Sequence, residues 1–196
     1  MLCPTLGLRG LFFIVPAFAE MRGEAAREYF YRHVQPHDAL PPETPEEDWR
    51  PMSREQIQRL AARHAIGNHT LSHRPLAGVS EADVPREIVG SRTTLEAWTG
   101  AAVEAFAWTF AGSAIDERSP SVGQSMRMAA AHHAFVFWPL PGTTDPAADS
   151  PALVWRANVE AGWTRAAWRF MLSGLGDPRW RSARERLRLG IRDLRI

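Results

Sequence analysis

At 196 residues, 45% hydrophobic and 23% charged, the chain has the make-up of one globular domain with a sizeable core, which excludes a disordered chain and a membrane-spanning bundle. Its 23 basic residues, all arginine, offset 22 acidic ones to a net charge of +1, which argues against a general polyanion-binding surface and so against a nucleic-acid partner. The lack of lysine beside abundant alanine fits a GC-rich bacterial genome, and a single cysteine, Cys3, excludes an intrachain disulfide.

Near the start, Arg9, the apolar run Gly10 to Val15 and Ala17-Phe18-Ala19 imitate a secretory leader, but the charge sits late and Pro16 cuts a short apolar core. Phe12 to Val15 have instead the composition of a parallel strand buried on both faces. No signal peptide is assigned, and the chain is placed in the cytoplasm or the cell envelope. Residues 17–33 read as one helix with Phe18, Met21, Ala25 or Ala26, and Tyr29 or Phe30 on its apolar face. Residues 35–51, rich in proline and acids, read as an exposed loop.

Ser53 and Gln56 form a capping box that opens a helix to about Arg63, with Ile57, Leu60 and Ala61 inward. A short apolar step, Ala65-Ile66, then meets Gly67-Asn68, which reads as a turn. Ser80 opens a further helix that buries Val84, Ile88, Leu95 and Trp98 and ends at Gly100. Strands are expected near 102–110, 134–138 and 153–159, and helices at 119–132, with Pro120 in first position, and at 164–173. Alternating strands and helices indicate parallel βαβ units and an α/β sheet or barrel. The last segment, 177–196, is an amphipathic helix with seven arginines between Arg179 and Arg195. Its acids Asp177, Glu185 and Asp193 dilute that charge, so its polar face is read as solvated rather than as a membrane or nucleic-acid contact.

The chemistry concentrates in Ile66-Gly67-Asn68-His69-Thr70-Leu71-Ser72-His73. Two imidazoles four residues apart fall on one side of a helical turn and can converge on one borderline metal such as Zn²⁺. Thr70 and Ser72 add hydroxyls able to support the turn or an imidazole. Taken alone, a His-x-x-x-His spacing is more often a pair of loop residues or helix caps.

Read together, these eight residues resemble the metal-binding motif of the polysaccharide deacetylase family, the NodB-like carbohydrate deacetylases: His-Ser/Thr-x-x-His after an apolar-Gly-Asn/Ser step. Arg9 to Pro16 is similar to the family's second barrel strand, and Val103 to Phe110 to its later Phe-Ala-Trp/Tyr-Pro-Phe-Gly strand, so the resemblance covers about residues 8 to 160. It implies a distorted or incomplete parallel (β/α) barrel, one domain over 1–196, a divalent metal with zinc first in line, and His69 and His73 as two of its three ligands. It further implies hydrolysis of the acetamide C–N bond of N-acylated sugars, with a carbohydrate as the partner.

Three departures stand beside it. The family's Thr-Phe-Asp-Asp-Gly segment, source of the catalytic base and third ligand, is missing, so the chain resembles a deacetylase truncated at its N-terminus. Thr109 stands at the place of the motif's proline, with Ala111 before Gly112, and no Leu-x-His lies near the C-terminus. Asp38, Asp48 and Asp116 lie on no strand preceding the histidines, so the catalytic base has no assigned residue. Activity is therefore expected to be impaired, and a non-catalytic carbohydrate-binding or structural relative is the alternative. Trp108 and Trp138, near the ends of their strands, are candidate sugar-stacking rings, with core packing as the other reading.

Overall fold

A computed structural model describes residues 7–34, 45–110, 120–142, 144–145, 150, 153–157, 164–173 and 177–193. The chain divides into two compact units, Met1–Arg74 with Pro85–Val103, and Pro75–Val84 with Glu104–Ile196.

In the first unit, strand β1 (Leu11–Ile14) pairs in parallel with β2 (Ala65–Asn68), Leu11 opposite Ala65 and Ile14 opposite Asn68. The Gly-Asn step read as a turn is thus the second half of a strand. Backbone pairing with β1 overrides the local turn preference, and Gly67 is needed there because the Phe13 ring lies over it: a Cβ would sit 2.4 Å from a ring carbon. Gly67→Ala must displace that ring, and we expect a loss of about 1–3 kcal/mol, measured as the shift in the urea unfolding midpoint. Phe12 is 36% exposed, so β1 is not buried on both faces as its composition suggested; among the described residues it pairs only with β2.

Residues 17–33 form not one helix but three pieces. Helix α1 (Pro16–Ala19) stops, the chain extends at Arg22 and turns left-handed at Gly23, and α2 (Gly23–Tyr29) continues into a π-turn at Phe30–Val34. Within the expected loop 35–51, α3 (Glu46–Trp49) forms one helical turn, and residues 35–44, with Asp38, lie outside the described residues. The capping box is present: Ser53 accepts from the Gln56 N–H and the Gln56 side chain accepts from the Ser53 N–H at the start of α4 (Arg54–Ala61). A π-turn (Arg86–Gly90) leads into α5 (Ser91–Thr99), closed by left-handed Gly100 as expected. Ile57 of α4, Ile66 of β2, and Leu95 and Trp98 of α5 join Ala19 and Val103 in one core, which fixes β2 against both helices.

In the second unit, β3 (Ala105–Ala107), β4 (Phe135–Trp138) and β5 (Val154–Trp155) pair in parallel in that order. Helix α6 (Pro120–His132) stands between β3 and β4 in sequence, as expected for a βαβ unit. Each strand is shorter than its hydrophobic run, because the pairing ends before the run does; residues 158–159 and 111–119, including Asp116, lie outside the described residues. Helix α7 (Arg165–Leu172) is capped by Thr164, and α8 (Arg181–Asp193) follows a 3₁₀ turn at Asp177–Trp180. Among the described residues no helix is long and apolar enough to cross a membrane. The architecture is an α/β fold with parallel strands, an incomplete barrel of the (β/α) type.

Candidate metal centre and its supporting loop

The histidine segment is not helical. The chain leaves β2 at Asn68 and runs through an irregular loop in which Thr70 and His73 both adopt left-handed backbone, with φ of 65° and 55°. For residues other than glycine that conformation costs of order 1–3 kcal/mol each and persists only where the surroundings impose it. Those surroundings are specific. The His69 N–H donates to the Ile14 carbonyl at the end of β1 (3.1 Å) and the Leu71 N–H to the Glu87 carbonyl (2.9 Å). Asn68, fully buried, donates to the Ile88 carbonyl (2.8 Å) and accepts from the Thr70 N–H (3.1 Å). The Thr70 hydroxyl oxygen accepts from the His73 N–H (2.9 Å).

Glu87 closes the loop from the other side. Its carboxylate, 3% exposed, accepts from the Ser72 N–H (3.0 Å) and the Ser72 hydroxyl (2.6 Å), and pairs with Arg74 (3.2 Å). A carboxylate this buried is tolerable because both its oxygens are bonded. Tyr29 donates its hydroxyl to the Ser72 carbonyl (2.5 Å). Burial first, then the nearby Glu87 charge, push the Tyr29 phenol up to about 12 from the ordinary 10. The folded state therefore keeps this proton where the unfolded chain has lost it. The Tyr29 contribution to stability is complete below pH 10 and disappears as pH rises from about 10 to about 12. We expect the unfolding midpoint of the parent to fall more steeply across that window than that of Tyr29→Phe, as read by denaturant titration at stepped pH.

The two imidazoles converge. Their Nε2 atoms are 3.2 Å apart and their ring centroids 4.7 Å, at 74°. Two nitrogen ligands of one tetrahedral zinc ion, each at about 2.0–2.1 Å, lie about 3.4 Å apart, so the pair fits a shared ion. The Nδ1 of His73 lies against the His33 carbonyl. Only an N–H can make that contact, which leaves the His73 Nε2 lone pair as the available ligand, the arrangement typical of a metal-binding histidine. Among the described residues no group of three His, Cys, Asp or Glu side chains could hold an ion, so the pair supplies two ligands without a third. Beside it opens a cleft of about 380 Å³ with His69 and His73 in its wall.

Residues 6–131 match the polysaccharide deacetylase family. The chain belongs to that family. Its fold is similar to that of a polysaccharide deacetylase from Bacillus cereus, at 16% identity and a TM-score of 0.54 over 84% of this chain and 51% of that one. It is also similar to IcaB from Ammonifex degensii (16%, TM-score 0.56, 87% of this chain and 63% of that one) and to a de-N-acetylase from Aggregatibacter actinomycetemcomitans (11%, 0.54, 87% and 67%). The chain spans about half the length of the Bacillus cereus deacetylase. No curated protein sequence matches it.

Trp108 and Trp138, in the second unit, are each 1% exposed and stack on one another, centroids 4.6 Å apart at 21°. That is the core-packing alternative for both rings; the faces they turn to each other are filled. His33, Tyr29 and Glu87 carried no functional signal in the sequence, although each holds the deacetylase motif in place, whereas Asn68 stands inside the motif itself. A buried acid fourteen residues beyond a metal motif could have been singled out only by assuming that helix 80–100 packs against the loop.

Proposed function

We propose that the His69/His73 site is the metal centre of a carbohydrate N-deacetylase, which cleaves the amide of an N-acylated amino sugar. Water adds across the C–N bond, giving a carboxylate and a free amine. The observation that carries this reading is the convergence of the two Nε2 atoms to 3.2 Å on a loop held in strained backbone by Asn68, Thr70 and Glu87. Membership of the deacetylase family supports the same chemistry. Zinc is the expected ion, since it favours imidazole ligands in a tetrahedral set. A divalent cation held there would supply Lewis acidity toward the amide carbonyl and toward water.

The residues of this chain bind and orient. The His33 carbonyl sets the His73 ring, Thr70 holds the His73 backbone, Ile14 anchors the His69 backbone, and Glu87 with Tyr29 fixes Ser72 between them. No proton acceptor for the attacking water is assigned. The 196-residue sequence contains no Asp-Asp pair, and Asp48 stands on α3 rather than on a strand. We therefore propose that the chain as given binds its ion weakly and turns over slowly. The lack of a third ligand among the described residues also favours a second reading, a carbohydrate-binding relative without catalysis. Metal content by elemental analysis, alongside acetate release from chitin oligosaccharides, separates the two. Zinc below one equivalent that is lost when His69 and His73 are replaced, with slow release, supports the enzyme. Release that persists unchanged after His69 and His73 are both replaced places the chemistry elsewhere.

A further inference from the structure

We infer that the cleft beside the histidine pair receives the acyl part of the substrate, and that this group is a linear chain of about four to eight carbons rather than acetyl alone. The inference rests on the reading of the pair as the point where the amide is hydrolysed. With the amide carbonyl at the imidazoles, one arm of the substrate is the sugar and the other the acyl chain, and the character of the cleft decides which arm enters it.

Its volume is about 380 Å³. A methyl or methylene group takes up roughly one water molecule's share, about 30 Å³, so an acetyl methyl would leave most of the space unfilled. The lining is apolar. Phe13, Ile14, Phe18, Val34, Met52 and Ile57 are among its lining residues. Phe13, Ile14, Phe18 and Val34 are only half-buried and Met52 is 37% exposed, so this wall keeps apolar surface in contact with solvent. Apart from the two histidines, Arg50 is the only polar side chain among the described lining residues. A pyranose carries a hydroxyl on most ring carbons, and a wall with so few partners would strand them. An alkyl chain asks for no partners and gains from every methylene it removes from water.

The test is calorimetric titration of the full chain, without added metal, with N-acetyl-, N-butanoyl-, N-hexanoyl- and N-octanoylglucosamine. We expect Kd to fall about fourfold for each added methylene until the cleft is full. Val34→Trp and Met52→Trp each place an indole in the same space from a partly exposed position, so both variants should fold, and both should flatten the dependence on chain length. A Kd that does not change with chain length, no binding at any length, or a gradient that survives both variants would overturn the inference. The hydrolysis reading fails by a separate result, unchanged metal content after replacement of His69 and His73. The gradient is read in metal-free protein and does not depend on that outcome.

Discussion

Fusing a Thr-Phe-Asp-Asp-Gly strand to the N-terminus should raise acetate release from chitin oligosaccharides by about 10² to 10⁴-fold, the range that a positioned general base contributes. The same fusion should bring bound zinc to one equivalent. The reason lies in what the described site offers: two converging imidazoles, no third ligand among the described residues, and no assigned proton acceptor. Strand β1 ends at Ile14, whose carbonyl already accepts from the His69 N–H, so a strand added alongside β1 would end level with the histidine loop. The comparison is between the given chain and the fusion at equal protein concentration, with a fusion carrying Asn-Asn in place of Asp-Asp as the control. Equal rates in all three would show that the missing carboxylates do not limit the reaction.

His69→Ala and His73→Ala should each weaken zinc binding by more than about 100-fold, since replacing even an outer partner of a metal ligand typically costs 10–100-fold. Competition titration with a coloured chelator reads this directly. The two should differ in their secondary effects. The His73 ring is held by the His33 carbonyl, and its loss frees the π-turn at Phe30–Val34, whereas the bond from the His73 N–H to Thr70 survives in the alanine variant. His69 packs near Phe13, with ring centroids 6.1 Å apart, and its removal should leave the loop backbone in place. His73→Ala is accordingly expected to lower the unfolding midpoint more than His69→Ala. Equal zinc affinity in the parent and in both variants would remove the metal centre from consideration.

What could be read from the sequence was local. The Ser53/Gln56 capping box, the stop at Gly100 and the Pro120 start of α6 depend on neighbours within one turn, and all three are present as expected. The deacetylase motif was legible because its residues are contiguous, and the family match and the fold bear out the resemblance. What could not be read depended on distant partners. Gly67-Asn68 has turn chemistry, yet pairing with β1 makes it strand. His69 and His73 were placed on a helical turn by their spacing, whereas left-handed backbone at Thr70 and His73 brings the rings together. The roles of Glu87 and Tyr29 follow from contacts spanning 15 and 43 residues, and no short-range pattern encodes them.

Because Glu87 and Tyr29 hold Ser72 from two separate stretches of chain, the motif is not portable. Transplanting residues 66–73 into another α/β scaffold would carry the ligands but leave behind the groups that keep Thr70 and His73 in their unfavourable backbone. Such a graft would relax, and its imidazoles would part. Protein engineers seeking this half-site would have to move three pieces together: the loop, the π-turn bearing Glu87, and the α2 turn bearing Tyr29. For the same reason, mutations in any one piece restrict which mutations the other two can accept, so the three segments are expected to evolve as a unit despite their separation along the chain.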